Sequence, residues 1–443
     1  MHPEQIDDHQ VPQAKGSGSQ REDTVVDLVQ SRAQIWRNVA RTSLVIAIVV
    51  ALSLYLNIAK TLAVVLALIV MIMIHELGHF ATAKWSKMKV TEYFLGFGPR
   101  IWSFRRGETE YGIKAIPAGG YVKIVGMSNL EVVDPQDEPR AYRNATYPRR
   151  LAVSLAGSFM HFVMAYLILV VLFAFVGIAN SSKAEIVSIA KFAAAPAPAQ
   201  LAGLKSGDVI VSVNGTRLSS IDTLVSDIQS SPGKQLILGV VHNGKSVNLK
   251  VTPDRASQLE PKVSSQAASE GVIGVRLSEP IEKAGILSSL GRPFSLIGSY
   301  SSTTVGALVS HFSPSGIQKY ISALQHPGAT TSGSGANVRF ESPVGIVRLA
   351  SQAASVGIGA VLTLLFSINI FVGIFNLVPL LPLDGGHVMV ATYERLRSRN
   401  GKMYHADMMK LIPVTYAVLA VIVLLGVTAL YLDLTHPLTN PFG

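Results

Sequence analysis

The sequence predicts a polytopic α-helical membrane protein, with a strand-rich segment after its first long span and one small soluble domain between later spans. Three observations predict it. Charged residues make up 15% of the chain and hydrophobic ones 49%, with a mean hydropathy of +0.38, whereas an average soluble domain carries about 25% charged residues. Apolar runs near 61–83, 151–178, 356–383 and 411–432 reach the roughly 20 residues that a helix needs to cross the hydrocarbon core. Lysines and arginines gather beside these runs, where such residues orient spans.

Residues 1–42 are polar, with Gly16, Ser17, Gly18 and Ser19 at their middle, and read as a disordered cytoplasmic tail. A shorter apolar run, 43–59, adds an N-terminal span. One helix through both this run and 61–83 would be roughly 60 Å long at 1.5 Å per residue, about twice the hydrocarbon core, so a hairpin of two spans broken near Asn57 and Lys60 is expected. Residues 84–150 carry Lys84, Lys87, Lys89, Arg100, Arg105, Arg106, Arg149 and Arg150 among others, and the positive-inside rule turns them to the cytoplasm. Within them, Glu92 to Met127 mixes glycine, aromatic and β-branched residues in the pattern of short strands and turns. The next span is 151–178, and the count of crossings then places 183–343 outside. There the run Leu201–Ile210 leads into Val213-Asn214-Gly215, and an Asn-Gly turn is a strong hairpin signal. The stretch 183–253 resembles a bacterial PDZ domain, a module that binds extended peptides by adding a strand to a sheet edge. Residues 254–343 read as a linker, Ser-, Ala- and Gly-rich at 255–271 and 327–337, with an interfacial helix in 283–325. Arg395, Arg397, Arg399, Lys402 and Lys410 mark the connection between the last two spans as cytoplasmic and leave the C-terminus outside.

The chain has no cysteine, so disulfides and thiolate metal sites are excluded and any metal must sit on His, Asp or Glu. The net charge of +10 is accounted for by the flanks of the spans. No basic face interleaved with aromatics points to nucleic acid. The chemistry centres on His75-Glu76-Leu77-Gly78-His79 at the end of a span. Residues four apart share a helix face, so both imidazoles can point at one ion while Glu76 reaches a water beside it, the spacing of a zincin site. Two imidazoles and a carboxylate beside lipid are costly unless they have partners. A catalytic zinc takes three protein ligands and keeps one position open. Asp384, which ends the run Asn376-Leu377-Val378-Pro379-Leu380-Leu381-Pro382-Leu383, is the candidate third ligand rather than a plain helix cap. Pro379 and Pro382 should unwind the chain there, and non-helical backbone at membrane depth must be buried in protein or line a cavity.

These two motifs make the chain resemble the site-2 proteases, the family of intramembrane zinc metalloproteases, over about residues 61–435. Gly96-Phe97-Gly98-Pro99 with Ile116-Pro117-Ala118-Gly119-Gly120-Tyr121-Val122 resembles the family's membrane-associated β-hairpin, here over 92–127, and a single PDZ domain is similar to one-PDZ bacterial members, actinobacterial ones especially. The resemblance implies zinc on His75, His79 and Asp384, Glu76 as catalytic acid/base, and Asn376, with a contribution from Asn369, holding substrate or the oxyanion. It further implies a multi-pass protein of the bacterial plasma membrane, its active site toward the cytoplasm, that performs regulated intramembrane proteolysis on single-span membrane proteins such as anti-sigma factors or signal-peptide remnants. Two features depart from the family: the extra run at 43–59, and Ser158 and His161 where relatives commonly carry Pro and Asn. His161 reads first as a core histidine and second as a neighbour of the metal, while His311, His387 and His405 are not needed once Asp384 supplies the third contact. A catalytically silent scaffold that binds partners through its PDZ domain, and a transporter with a broken helix, are the rival readings.

Overall fold

The computed structural model describes residues 51–56, 58–128, 131–190, 196–255, 269–326, 340–398 and 404–437, so the tail at 1–42 and most of the 43–59 run lie outside the described residues. The chain divides into two units after Ala59; in the first, residues 51–55 are helical. Everything below belongs to the second.

Helix α1 (Ala59–Trp85) is a 27-residue, almost uncharged segment that ends at Lys84 and Trp85. At 1.5 Å per residue it is about 40 Å long. Strands β1 (Val90–Arg106) and β2 (Thr109–Ile124) then pair with each other, each bent into two segments: residues 92–95 have partners on both sides, in 120–123 and in 110–113, and 102–106 pairs with 109–113. The Tyr93 hydroxyl donates to the Met73 carbonyl at 2.7 Å and ties the hairpin to α1. Helix α2 (Tyr147–Val171) continues through one π-helical turn to Val176.

A soluble unit follows, made of β3 (Ala184–Ile189), β4 (Val209–Val213), α3 (Ile221–Gln229), β5 (Leu236–His242), β6 (Lys245–Val251) and β7 (Val275–Ser278). The strands are ordered β7-β3-β4-β5-β6, with every neighbour antiparallel. Alternation along the strands turns Ala184, Ile186, Ile210, Leu238 and Val240 inward, onto Leu224 and Ile228 of α3. The Asn214-Gly215 turn joins β4 to the short strand Thr216–Arg217 as expected. The edge strand β7 comes from the stretch read as a linker. Its partner β3 lies far upstream, and local sequence carries no record of so distant a pairing.

Helices α4 (Ile286–His311) and α5 (Pro314–Gln325) also rise from that stretch. Far from being a free connection, α4 packs on the membrane helices: Tyr166 of α2 bonds the Leu290 carbonyl at 3.1 Å, and the Tyr300 ring meets Phe366 edge-on at 5.0 Å. Its serines disguise it. Ser288, Ser289, Ser295, Ser299, Ser302 and Thr304 all donate to carbonyls three or four residues back, which satisfies their hydroxyls within the helix. Helix α6 (Pro343–Val356) turns at Gly357 into α7 (Ile358–Asn376). Helix α7 stops at Asn376, short of the expected 383. Leu377–Leu383, which holds both prolines, is non-helical before α8 (Asp384–Arg397) begins, and α9 (Met408–Thr435) closes the chain.

Among the described residues four helices are long and apolar enough to cross a membrane: α1, α2 with its extension, α7 and α9. The packing of α2 on α7 fixes the middle of the molecule, with Ala165, Leu169, Leu172 and Phe173 against Phe366 and Ile370.

Candidate metal centre

The His75 and His79 side chains project from one face of α1 with their Nε2 atoms 3.3 Å apart. Asp384, the first residue of α8, brings Oδ2 to 3.6 Å from His75 Nε2 and Oδ1 to 3.4 Å from His79 Nε2. Zinc bonds of about 2.0–2.2 Å to nitrogen and oxygen in a tetrahedron put neighbouring ligand atoms roughly 3.3–3.5 Å apart. The observed triangle therefore matches three donors around one small divalent ion. The donor chemistry agrees. The His79 Nδ1–H donates to the Val153 carbonyl at 2.8 Å, which leaves the Nε2 lone pair facing the triangle. Among the described residues the buried Oδ2 of Asp384 has no hydrogen-bond partner, and a carboxylate oxygen left so is expensive unless a cation completes it. Among the described residues this is the cluster of His, Asp and Glu whose donor atoms all lie within 4.8 Å of one another. The residues present fit zinc.

Close approach of two further elements shapes the site. Gly157 of α2 faces both ligands: a Cβ there would lie 2.4 Å from His75 Cε1 and 2.4 Å from His79 Nε2, so α2 can close on the pair only where it carries a hydrogen. Strand β2 passes over Glu76, where a Cβ on Gly120 would meet Glu76 Cγ at 2.9 Å. Glu76 itself is half-buried, one position from His75.

The structure thus brings His75, Glu76, His79 and Asp384 together as the sequence suggested. Asn376 is the last residue of α7, eight positions before Asp384, half-buried and without a side-chain hydrogen bond among the described residues. Asn369 is buried and its amide is engaged: Nδ2 donates to Leu365 O at 2.8 Å and Oδ1 meets His161 Nδ1 at 2.9 Å. His161 lies beside the metal pocket, its ring centre 5.0 Å from that of His75. His387 is one turn along α8 from Asp384, near enough to feel its charge but outside the donor cluster. His311 bonds its own helix at Ala307 and meets the Phe340 ring edge-on, and His405 precedes α9; neither joins the cluster. Sequence reasoning passed over Gly157, Gly120 and the Val153 carbonyl. The run Ala156-Gly157-Ser158 held a signal for the first, since small residues within a span mark close helix approach.

A pattern describing peptidase family M50 matches residues 63–422. The chain is 33% identical over 400 residues to the zinc metalloprotease Rip1 of Mycobacterium tuberculosis, covering 83% of this chain and 95% of the relative. It is 31% identical over 402 residues to the protein of that name from Mycolicibacterium smegmatis, with the same coverage of 83% and 95%. With the donor triangle in place and a match over most of the chain, the protein is a metalloendopeptidase that belongs to peptidase family M50, the site-2 protease family.

Proposed function

We propose that this is a zinc enzyme of regulated intramembrane proteolysis, hydrolysing peptide bonds in or next to the transmembrane segments of single-span membrane proteins. The observation that carries this reading is the triangle of His75, His79 and Asp384 within a set of four membrane-length helices, with Glu76 beside it. His75, His79 and Asp384 hold the ion. When bound, zinc polarises the scissile carbonyl and makes water a competent nucleophile near neutral pH. Glu76 accepts the proton of the attacking water and passes it to the leaving nitrogen, so that a C–O bond forms, the C–N bond breaks and the proton ends on the new amine. Asn376, at the end of α7 and without a side-chain hydrogen bond among the described residues, binds a carbonyl of the substrate.

A transmembrane substrate must expose its backbone before this can happen, because an intact helix satisfies its own peptide groups. Segment 120–124 of β2, paired with 90–95 on one side, lies beside Glu76 at the edge of the β1–β2 sheet, and an unwound segment can add to such an edge. The soluble unit supports a second recognition step. Between edge strand β7 and helix α3 runs a groove of about 330 Å³ lined by Val225, Ile228, Val275 and Leu277, the setting in which a PDZ domain takes an extended peptide. The arginines and lysines flanking α2 and α8 support an orientation with the metal toward the cytoplasm of a bacterial plasma membrane and the PDZ-like unit outside. That arrangement suits screening of substrates by the state of their outer domain, with anti-sigma factors and signal-peptide remnants as the substrate classes.

The test is cleavage of a purified single-span substrate in proteoliposomes, with and without a chelator. Chelation should abolish cleavage, Glu76→Gln should slow it by roughly 10²–10⁴, and the E76Q protein should keep its zinc. Undiminished cutting by E76Q would overturn the assignment. A silent scaffold would bind the substrate's outer segment and cut it under no condition.

A further inference from the structure

We propose that His161 is a positioning residue for the His75 ligand; the proposal deepens the metal reading and rests on it. The two imidazoles of the triangle are secured in different ways. His79 is oriented by the hydrogen bond from its Nδ1 to Val153 O, the usual device for a ligating histidine. His75 lacks that device. Among the described residues its Nδ1 is buried with no hydrogen-bond partner. Ring contacts hold it instead: His79 edge-on at 4.9 Å and 79°, and His161 at 5.0 Å and a tilt of 42°.

His161 is itself locked. It is 1% exposed, and its Nδ1 lies 2.9 Å from Asn369 Oδ1. Asn369 Nδ2 is committed as donor to Leu365 O at 2.8 Å, so the amide oxygen is the acceptor and His161 Nδ1 carries the hydrogen. Each orientation in the series follows from the one before: the Leu365 carbonyl sets the Asn369 amide, the amide sets the His161 ring, and that ring walls His75. The series runs from α7 through α2 to α1. Among the described residues, the His161 nitrogens are not part of the cluster of donors within 4.8 Å of one another. The residue thus supports a ligand and is not one.

The experiment measures zinc affinity of the purified full-length protein by competition with a chromophoric chelator, together with the visible spectrum of the Co²⁺-loaded protein. His161→Ala is expected to weaken zinc binding by about 10–100-fold, the usual cost of losing an outer-shell support, and to broaden the Co²⁺ bands while preserving their intensity. Asn369→Ala should weaken zinc in the same direction, and the H161A/N369A protein should bind no more weakly than H161A. His161→Phe restores a ring without the hydrogen bond and should bind zinc several-fold more tightly than H161A. H161F as weak as H161A, with loss of Co²⁺ band intensity, would identify a ligand and overturn the positioning role; so would an H161A affinity equal to wild type. His75→Ala with unchanged zinc affinity is a separate failure, that of the metal site itself.

Discussion

At the scale of single residues, the donor triangle separates metal binding from proton transfer. Asp384→Asn keeps the shape and removes the anionic donor, so zinc should be lost along with activity. Glu76→Gln removes only the proton carrier, and the rate should fall by roughly 10²–10⁴ with zinc retained. Metal content by atomic absorption, set beside single-turnover cleavage, distinguishes the two. Gly157→Ala is a sharper probe of packing. Alanine raises intrinsic helix propensity by about 1 kcal/mol over glycine, so α2 should form at least as well. The added methyl nonetheless falls 2.4 Å from both imidazoles and must push α2 away. Zinc affinity should drop while circular dichroism stays unchanged; an alanine variant with native affinity would show that the helices have room to spare. These cases also show what the sequence could reveal. The face shared by His75 and His79 follows from helix geometry alone, and Asp384 announces itself by the prolines before it. Gly157, Val153 and His161 matter only because α2 closes on α1; a small residue and a histidine within a span single out Gly157 and His161, but no local pattern encodes which ligand each one meets.

At the scale of elements, the hairpin is the part most exposed to its surroundings. Phe97, Ile101, Trp102 and Ile116 are exposed along it, an apolar surface that suits lipid. Its turn is clamped to the rest of the protein: Arg140 makes two 2.7 Å bonds to Glu108, and Lys84 at the end of α1 adds a third at 2.6 Å. The Arg140 hydrogen bonds, with help from Lys84, hold the Glu108 carboxyl down to about 2. A carboxylate lowered on folding stabilises the folded form above its unfolded value of about 4.3, and the contribution is lost as pH falls toward the lowered value. Between about pH 4.5 and 2 the hairpin should therefore loosen from α1, and Glu108→Gln should loosen it at neutral pH. Faster amide exchange over 107–124 would register both effects, and protection unchanged in E108Q would mean that the Tyr93–Met73 bond suffices. The hairpin was legible as short strands and turns because glycine and aromatic residues punctuate it: Gly96, Gly98, Gly107 and Gly119 take positive φ where the paired segments bend; what local sequence does not carry is that 92–95 lies between 120–123 and 110–113. Helix α4 was expected as an interfacial helix, but its packing on the membrane helices was hidden, since hydroxyls satisfied within a helix look polar only on paper.

At the scale of the whole molecule, the metal site depends on joining two stretches of chain more than 300 residues apart in sequence, His75 to Asp384. Helix α8 carries Asp384 at its first turn and Glu394 near its last. Glu394 Oε2 meets Arg150 Nη2 of α2 at 2.6 Å, with side chains only 2% and 9% exposed. Glu394 Oε1 accepts from the Ala406 N–H at 2.6 Å, just before α9. Arg150 also lies over the Tyr142 ring at 5.0 Å. This buried pair sets the far end of the helix that presents the third ligand. Removing one member strands a charge, and breaking a buried pair costs about 3–5 kcal/mol. Replacing both by apolar residues of similar volume is often close to neutral. Arg150→Met and Glu394→Met should each lower unfolding stability by that amount and weaken zinc binding, because α8 loses its anchor. The R150M/E394M protein should recover most of the stability. Its zinc affinity decides what the pair is for. Recovery of affinity along with stability would mean that α8 needs only a packed anchor. Stability without affinity would mean that the ion pair sets the position of Asp384, and that hydrophobic packing cannot reproduce that position.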